Sequence, residues 1–174
     1  MSIFAILFVI ACVITAIAQL FVKTKIKNTP AHMQISDIQQ CIDLIGRPYS
    51  TIDCAIYFIN NENDFVNYAQ GNLEGFYNDY IDGSLHGLCC YHSNSTTKIF
   101  VFTNNTVNSY GLERCYYQKA IIRVLYHELR HAIQHINNLD VDDLEYDANW
   151  FAERIMKENE SKINSIFKNY AFYD

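Results

Sequence analysis

Between residues 116 and 136 the side chains of Ile121, Val124, Leu125, Ala132 and Ile136 recur at helical spacings. A helix of that length must bury its apolar stripe, so the rest of the chain has to supply the layer that covers it. His127 and His131 fall at the border of the stripe, next to Ala120 and Val124. Residues four apart lie one turn above each other, so both rings can turn a nitrogen toward one ion, a spacing that suits tetrahedral zinc. Glu128 sits about 100° round the helix from His127, flanking such an ion, where its carboxylate can take a proton from an activated water. Two histidines alone also fit a second reading, as hydrogen-bonded polar residues near the core, and the downstream residues have to decide.

The chain has 174 residues, half of them apolar, which allows one compact domain and a membrane segment but no second large domain. A net charge of −6 and the lack of any basic run argue against a nucleic-acid partner, which would need clustered Lys and Arg. Residues 2–22 form an almost unbroken apolar run, long enough at ~1.5 Å per residue to span a hydrocarbon core of ~30 Å. The competing reading is a signal peptide cleaved after Ala16-Ile17-Ala18. The absence of Lys or Arg before the run, and Lys23, Lys25 and Lys27 directly after it, favour an uncleaved single-pass anchor with the domain on the cytoplasmic side. Sequons at Asn94, Asn104 and Asn159 keep the extracytoplasmic side open as the alternative. The expected organisation is a membrane anchor over residues 1–24, a linker over 25–34 and one domain over 35–174.

Within that domain, Ser36 and Gln39 read as a capping box that opens a helix ending at about Ile45, before Gly46-Arg47-Pro48. Strands are expected over residues 54–59, 88–91 and 98–103, with a polar helix or loop through Gln70 and a loop at Asn104-Asn105. Cys12 lies in the apolar run, and Cys41, Cys54, Cys89, Cys90 and Cys115 show no Cys-x-x-Cys spacing, which points to buried thiols rather than a structural zinc knuckle.

Asp140, Asp142 and Asp143 are placed to cap a last helix whose buried face is Leu144, Ala148, Phe151, Ala152 and Ile155. Glu145 lies about 75° from the centre of that face on one side and Asp147 about 85° on the other, so periodicity permits either as a third ligand. Glu145 shares its side with the small Ala148 and Ala152, where two helices can approach closely, and with Asn149, which could hydrogen-bond the free nitrogen of a ligating histidine. The run His127-Glu128-Leu129-Arg130-His131-Ala132, followed by Glu145-Tyr146-Asp147-Ala148-Asn149-Trp150-Phe151-Ala152, resembles the paired motifs of gluzincin metallopeptidases. More narrowly it is similar to the ImmA/IrrE-type peptidases, with Arg130 where that family often has Gly. The resemblance spans about residues 117–152 and implies Glu145 as the third zinc ligand.

The expected fold is therefore α+β: a small zincin-like domain with a short mixed or antiparallel sheet packed on the His-Glu-x-x-His helix and a C-terminal helix, behind an N-terminal transmembrane helix. The expected activity is zinc-dependent peptide-bond hydrolysis, with His127, His131 and Glu145 on the metal, Glu128 as general base and Asn149 behind the ligands. A peptide or protein substrate would add to the exposed edge of the sheet, expected at residues 98–103. Tyr126, Tyr146, His86, His92 and His135 are all candidates to stabilise the oxyanion. The alternative from another class is a membrane-anchored binding protein whose metal is structural or absent.

Overall fold

A computed structural model describes residues 24–69, 74–91, 95–110 and 117–168. It has an α+β architecture in which a mixed four-stranded sheet carries helices on its main face. In chain order the elements are β1 (Lys25–Lys27), α1 (Ile35–Ile45), β2 (Cys54–Ile59), β3 (Gly87–Cys90), β4 (Thr97–Phe102), α2 (Thr103–Tyr110), α3 (Tyr117–Ile136), α4 (Leu144–Glu158) and α5 (Glu160–Phe167). Short helical turns at Glu62–Asp64 and Tyr77–Ile81 lie between β2 and β3.

The sheet order is β1-β2-β4-β3, with β1, β2 and β4 parallel and β3 antiparallel to β4. Both central strands are apolar on both faces, as strands covered on two sides must be. Ile56, Phe58, Ile99 and Val101 point into the main core, where Ile38 and Ile42 of α1 and Ile121, Leu125 and Leu129 of α3 meet them. The alternate residues Ile59, Phe100 and Phe102 face the other way, against Phe65 and Tyr80 of the 62–81 segment. Phe65 and Tyr80 stack with ring centroids 4.6 Å apart. Tyr126, on the buried side of α3, donates its hydroxyl to the Cys41 carbonyl at 2.8 Å and so ties α3 to α1.

Several local expectations change. Strand β4 is flanked by β2 and β3, so residues 98–103 form no edge, and among the described residues the edge strands are β1 and β3. Lys25–Lys27, inside the expected linker, pair in parallel with β2 from Ala55 to Tyr57. Helix α1 begins two residues early: Gln34 is extended (φ −100°, ψ 156°), and the Asp37 carboxylate accepts its backbone N–H at 2.9 Å. Gln39 meanwhile donates to Asp43 instead of reaching back to Ser36.

Helix α2 replaces the loop expected at Asn104-Asn105 because the polar side chains there bond inward. Asn105 donates to the Tyr80 and Leu85 carbonyls at 2.9 Å each, Thr103 to the Ile59 carbonyl at 3.1 Å and Thr106 to that of Phe102 at 2.8 Å. The four cysteines within the described residues, Cys41, Cys54, Cys89 and Cys90, are free thiols. Burial pushes the Cys41 and Cys54 thiols up to about 12. Among the described residues no helix is long and apolar enough to cross a membrane. The apolar run 2–22, expected as the membrane helix, lies outside the described residues.

Candidate metal centre

The site is built where α3 and α4 form a hairpin. Asp143 caps α4, its carboxylate accepting the Tyr146 N–H at 2.9 Å, and this places Glu145 in the first helical turn. Ala148 and Ala152 are fully buried, and their small side chains let the first half of α4 lie close against α3. Of the expected apolar face, Ala148, Phe151, Ala152 and Ile155 are buried, whereas Leu144 at the start of the helix is exposed.

The two carboxylates left open by periodicity have different partners. Glu145 faces the histidines, its Oε2 lying 3.3 Å from His127 Nε2 and its Oε1 3.1 Å from His131 Nε2. Asp147 turns to Arg130, which donates from Nε at 2.6 Å and from Nη2 at 3.2 Å. That pairing holds the Asp147 carboxyl below its ordinary range. Arg130 also donates to the Tyr49 hydroxyl at 2.9 Å, and the Tyr49 ring stacks on Phe151 at 4.7 Å.

The two Nε2 atoms of His127 and His131 lie 3.0 Å apart. Donors tetrahedrally arranged about an ion at ~2.0–2.1 Å stand roughly 3.3 Å from one another, so these separations fit a small cation. Donor chemistry points the same way. Gln134 donates its amide N–H groups to the Leu144 carbonyl at 3.0 Å and to Asp147 at 2.7 Å, which leaves its oxygen to face His131 Nδ1 at 2.7 Å. The network thus assigns the His131 proton to Nδ1 and frees the Nε2 lone pair toward His127 and Glu145. His127 is hydrogen-bonded to Asn149, whose amide N–H donates to the Glu145 carbonyl at 3.0 Å. Burial, then the neighbouring His131, keeps the His127 imidazole below its usual value and favours the neutral, ligating form. Among the described residues, His127, His131 and Glu145 form the one group of at least three such side chains able to share an ion.

Glu128 stands apart from this group, its Oε1 4.0 Å from His127 Nε2. It is 5% exposed, and burial, followed by the Glu145 charge, pushes its carboxyl up to about 8. The wall above it is the first residue of the edge strand. A Cβ built on Gly87 would meet Glu128 Oε1 and would lie 2.8 Å from its Cγ and Cδ, so only glycine lets β3 approach this closely.

A cleft of about 860 Å³ opens over these groups, walled by residues 84–89 on one side and by Asp142, Asp143 and Glu145 on the other. Two of the expected oxyanion candidates, His86 and His135, line it. Burial holds the His86 imidazole below its usual value. Tyr126 is spent on the Cys41 carbonyl in the core, Tyr146 lies outside the cleft in a neighbouring depression beside Trp150, and His92 lies outside the described residues.

Sequence reasoning missed Gln134 and Gly87. Gln134 lies three positions after His131, where helical geometry puts it beside the ring. A glycine opening a strand is the ordinary sign of a close backbone approach. Searches against protein-family models, curated proteins and solved structures find no match to this chain.

Proposed function

We propose that this chain is a zinc-dependent metallopeptidase of the gluzincin type, resembling the ImmA/IrrE-type peptidases, that hydrolyses peptide bonds in peptide or protein substrates. The single observation that carries the reading is the convergence of His127, His131 and Glu145 within 3.0–3.3 Å of one another beside a buried Glu128. His127 and His131 through Nε2 and Glu145 through its carboxylate would hold the ion. Bound there, zinc would supply Lewis acidity, polarising a peptide carbonyl and lowering the pKa of water.

The remaining work falls to the chain's own groups. Glu128 takes the proton of the attacking water as its oxygen adds to the carbonyl carbon, then passes that proton to the amine as the carbon–nitrogen bond breaks. The close approach of Gly87 and the burial of the side chain raise the proton affinity of Glu128, which suits a group that first accepts and then returns a proton. An extended substrate would pair with the edge strand β3, which borders the cleft. His86 or His135 would donate to the oxygen of the tetrahedral intermediate. The apolar run 2–22 and the lysines that follow it support an uncleaved single-pass membrane anchor with the domain on the cytoplasmic face.

Metal analysis and peptide hydrolysis test the proposal together. Wild type should bind one zinc, Glu145→Ala should lose it, and Glu128→Gln should retain it while hydrolysis of a permissive peptide disappears. A chain that binds no zinc, or a Glu128→Gln variant that still cleaves, would refute it.

A further inference from the structure

Four side chains run in series from the hairpin interior to the metal centre. Arg130 clamps Asp147 with two hydrogen bonds, Asp147 Oδ2 accepts from Gln134 Nε2 at 2.7 Å, and Gln134 Oε1 faces His131 Nδ1 at 2.7 Å. Arg130 is itself fixed by the Tyr49 hydroxyl and lies with its guanidinium carbon 5.5 Å from the centre of the Phe151 ring. Gln134 is 2% exposed, so no water competes for its amide.

We infer that Gln134 is a positioning residue for the metal centre, holding His131 in the Nδ1–H tautomer, and that the Arg130–Asp147 pair sets which way the Gln134 amide points. The inference rests on the proposed zinc site. Its physical basis is the donor inventory of an amide. A buried glutamine between an imidazole and a carbonyl can sit two ways, one offering oxygen and the other offering N–H to the ring. Asp147, ionised by Arg130, accepts only, and so does the Leu144 carbonyl. Both require N–H from Gln134, which leaves only its oxygen for His131. The histidine must then donate from Nδ1 and present a lone pair at Nε2. Flipping the amide would place two N–H groups, on Gln134 and on His131, against each other, or force the ring proton onto the ligating nitrogen. The chain thereby makes the basicity of one ligand depend on the salt bridge between α3 and α4, which is the arrangement by which outer groups tune a metal ligand.

The test compares Gln134→Glu with Gln134→Met in the full-length chain. Both substitutions break the bonds from Gln134 to Leu144 and Asp147, and Gln134→Glu also sets a carboxylate against Asp147, so a purely structural role predicts that Gln134→Glu loses at least as much zinc affinity as Gln134→Met. Only Gln134→Glu keeps an oxygen for His131. In metal-free protein, imidazole ¹⁵N–¹H correlation spectra should show His131 as the Nδ1–H tautomer in wild type and Gln134→Glu, and shifted toward Nε2–H in Gln134→Met. The zinc dissociation constant, from chelator competition, should rise about 10–100-fold in Gln134→Met and only a few-fold in Gln134→Glu. An Nε2–H tautomer in wild type overturns the inference without need of any variant, as does a loss of zinc affinity in Gln134→Glu equal to or greater than that in Gln134→Met. If wild type binds no zinc at all, the peptidase reading fails, while the tautomer measurement still decides whether Gln134 sets the ring proton.

Discussion

Replacing Glu128 by Gln should stabilise the metal-free protein, and by an amount that grows with pH. The side chain is 5% exposed against the Gly87 wall, and burial pushes its carboxyl from an ordinary 4.5 up to about 8. Below pH 4.5 the group is protonated whether the chain is folded or not, and the carboxyl adds no pH dependence. Between 4.5 and 8 the unfolded chain releases the proton while the folded chain keeps it, so stability falls as pH rises. Above pH 8 both states are ionised and the loss is complete. At 1.36 kcal/mol per pH unit, the gap between 4.5 and 8 corresponds to about 5 kcal/mol. Glutamine carries no charge at any of these values, so the difference between variant and wild type isolates this one carboxyl while the other titrating groups cancel. Urea unfolding of both proteins with a chelator present, at pH 5, 7 and 9, should give a difference that widens by several kcal/mol. A difference that stays constant across that range would refute the reasoning, because it would mean that Glu128 ionises in the folded protein as easily as in water.

Other perturbations have equally definite outcomes. Gly87→Ala should push the Glu128 carboxylate aside and lower peptide hydrolysis about 10–100-fold at unchanged zinc content, measured by steady-state kinetics beside metal analysis. Tyr126→Phe should cost about 1–2 kcal/mol in urea unfolding, because the Cys41 carbonyl loses its buried donor. Ala152→Leu should cost roughly 1–3 kcal/mol by overfilling the α3–α4 contact, and a neutral result would mean that the two helices are not packed as described.

Where a single strong period runs, the sequence is readable. Strand β2 occupies residues 54–59 as its apolar run indicates, and α3 ends at Ile136, where its apolar stripe stops. Three features were hidden for separate reasons. Strand β1 is too short for alternation to show, since Ile26 is its only buried residue between two lysines. Helix α2 looks like a loop because Thr103 and Asn105 are usually solvated, and their inward bonds depend on carbonyls from Ile59, Tyr80 and Leu85 far away in the chain. Strand order depends on which strands meet, and no local pattern records that β4 lies inside the sheet. At the site, His127 and His131 share a face by spacing alone. Choosing between Glu145 and Asp147 needs the partner of Arg130, a contact across two helices that periodicity cannot register.

The α3–α4 hairpin also bears on the order in which the chain can assemble. His127, His131 and Glu145 are joined by a short connection, so the ion-binding group closes through contacts that are near in sequence and fast to form. The enclosure of Glu128 is different in kind: it needs Gly87 on β3, and β3 is held by β4, whose other neighbour β2 comes from much earlier in the chain. Closing those loops is slower and costs more chain entropy. During refolding, His127, His131 and Glu145 should therefore come together before the proton affinity of Glu128 rises, and a nascent chain released with its hairpin formed but its sheet incomplete would present the three side chains while Glu128 is still open to water.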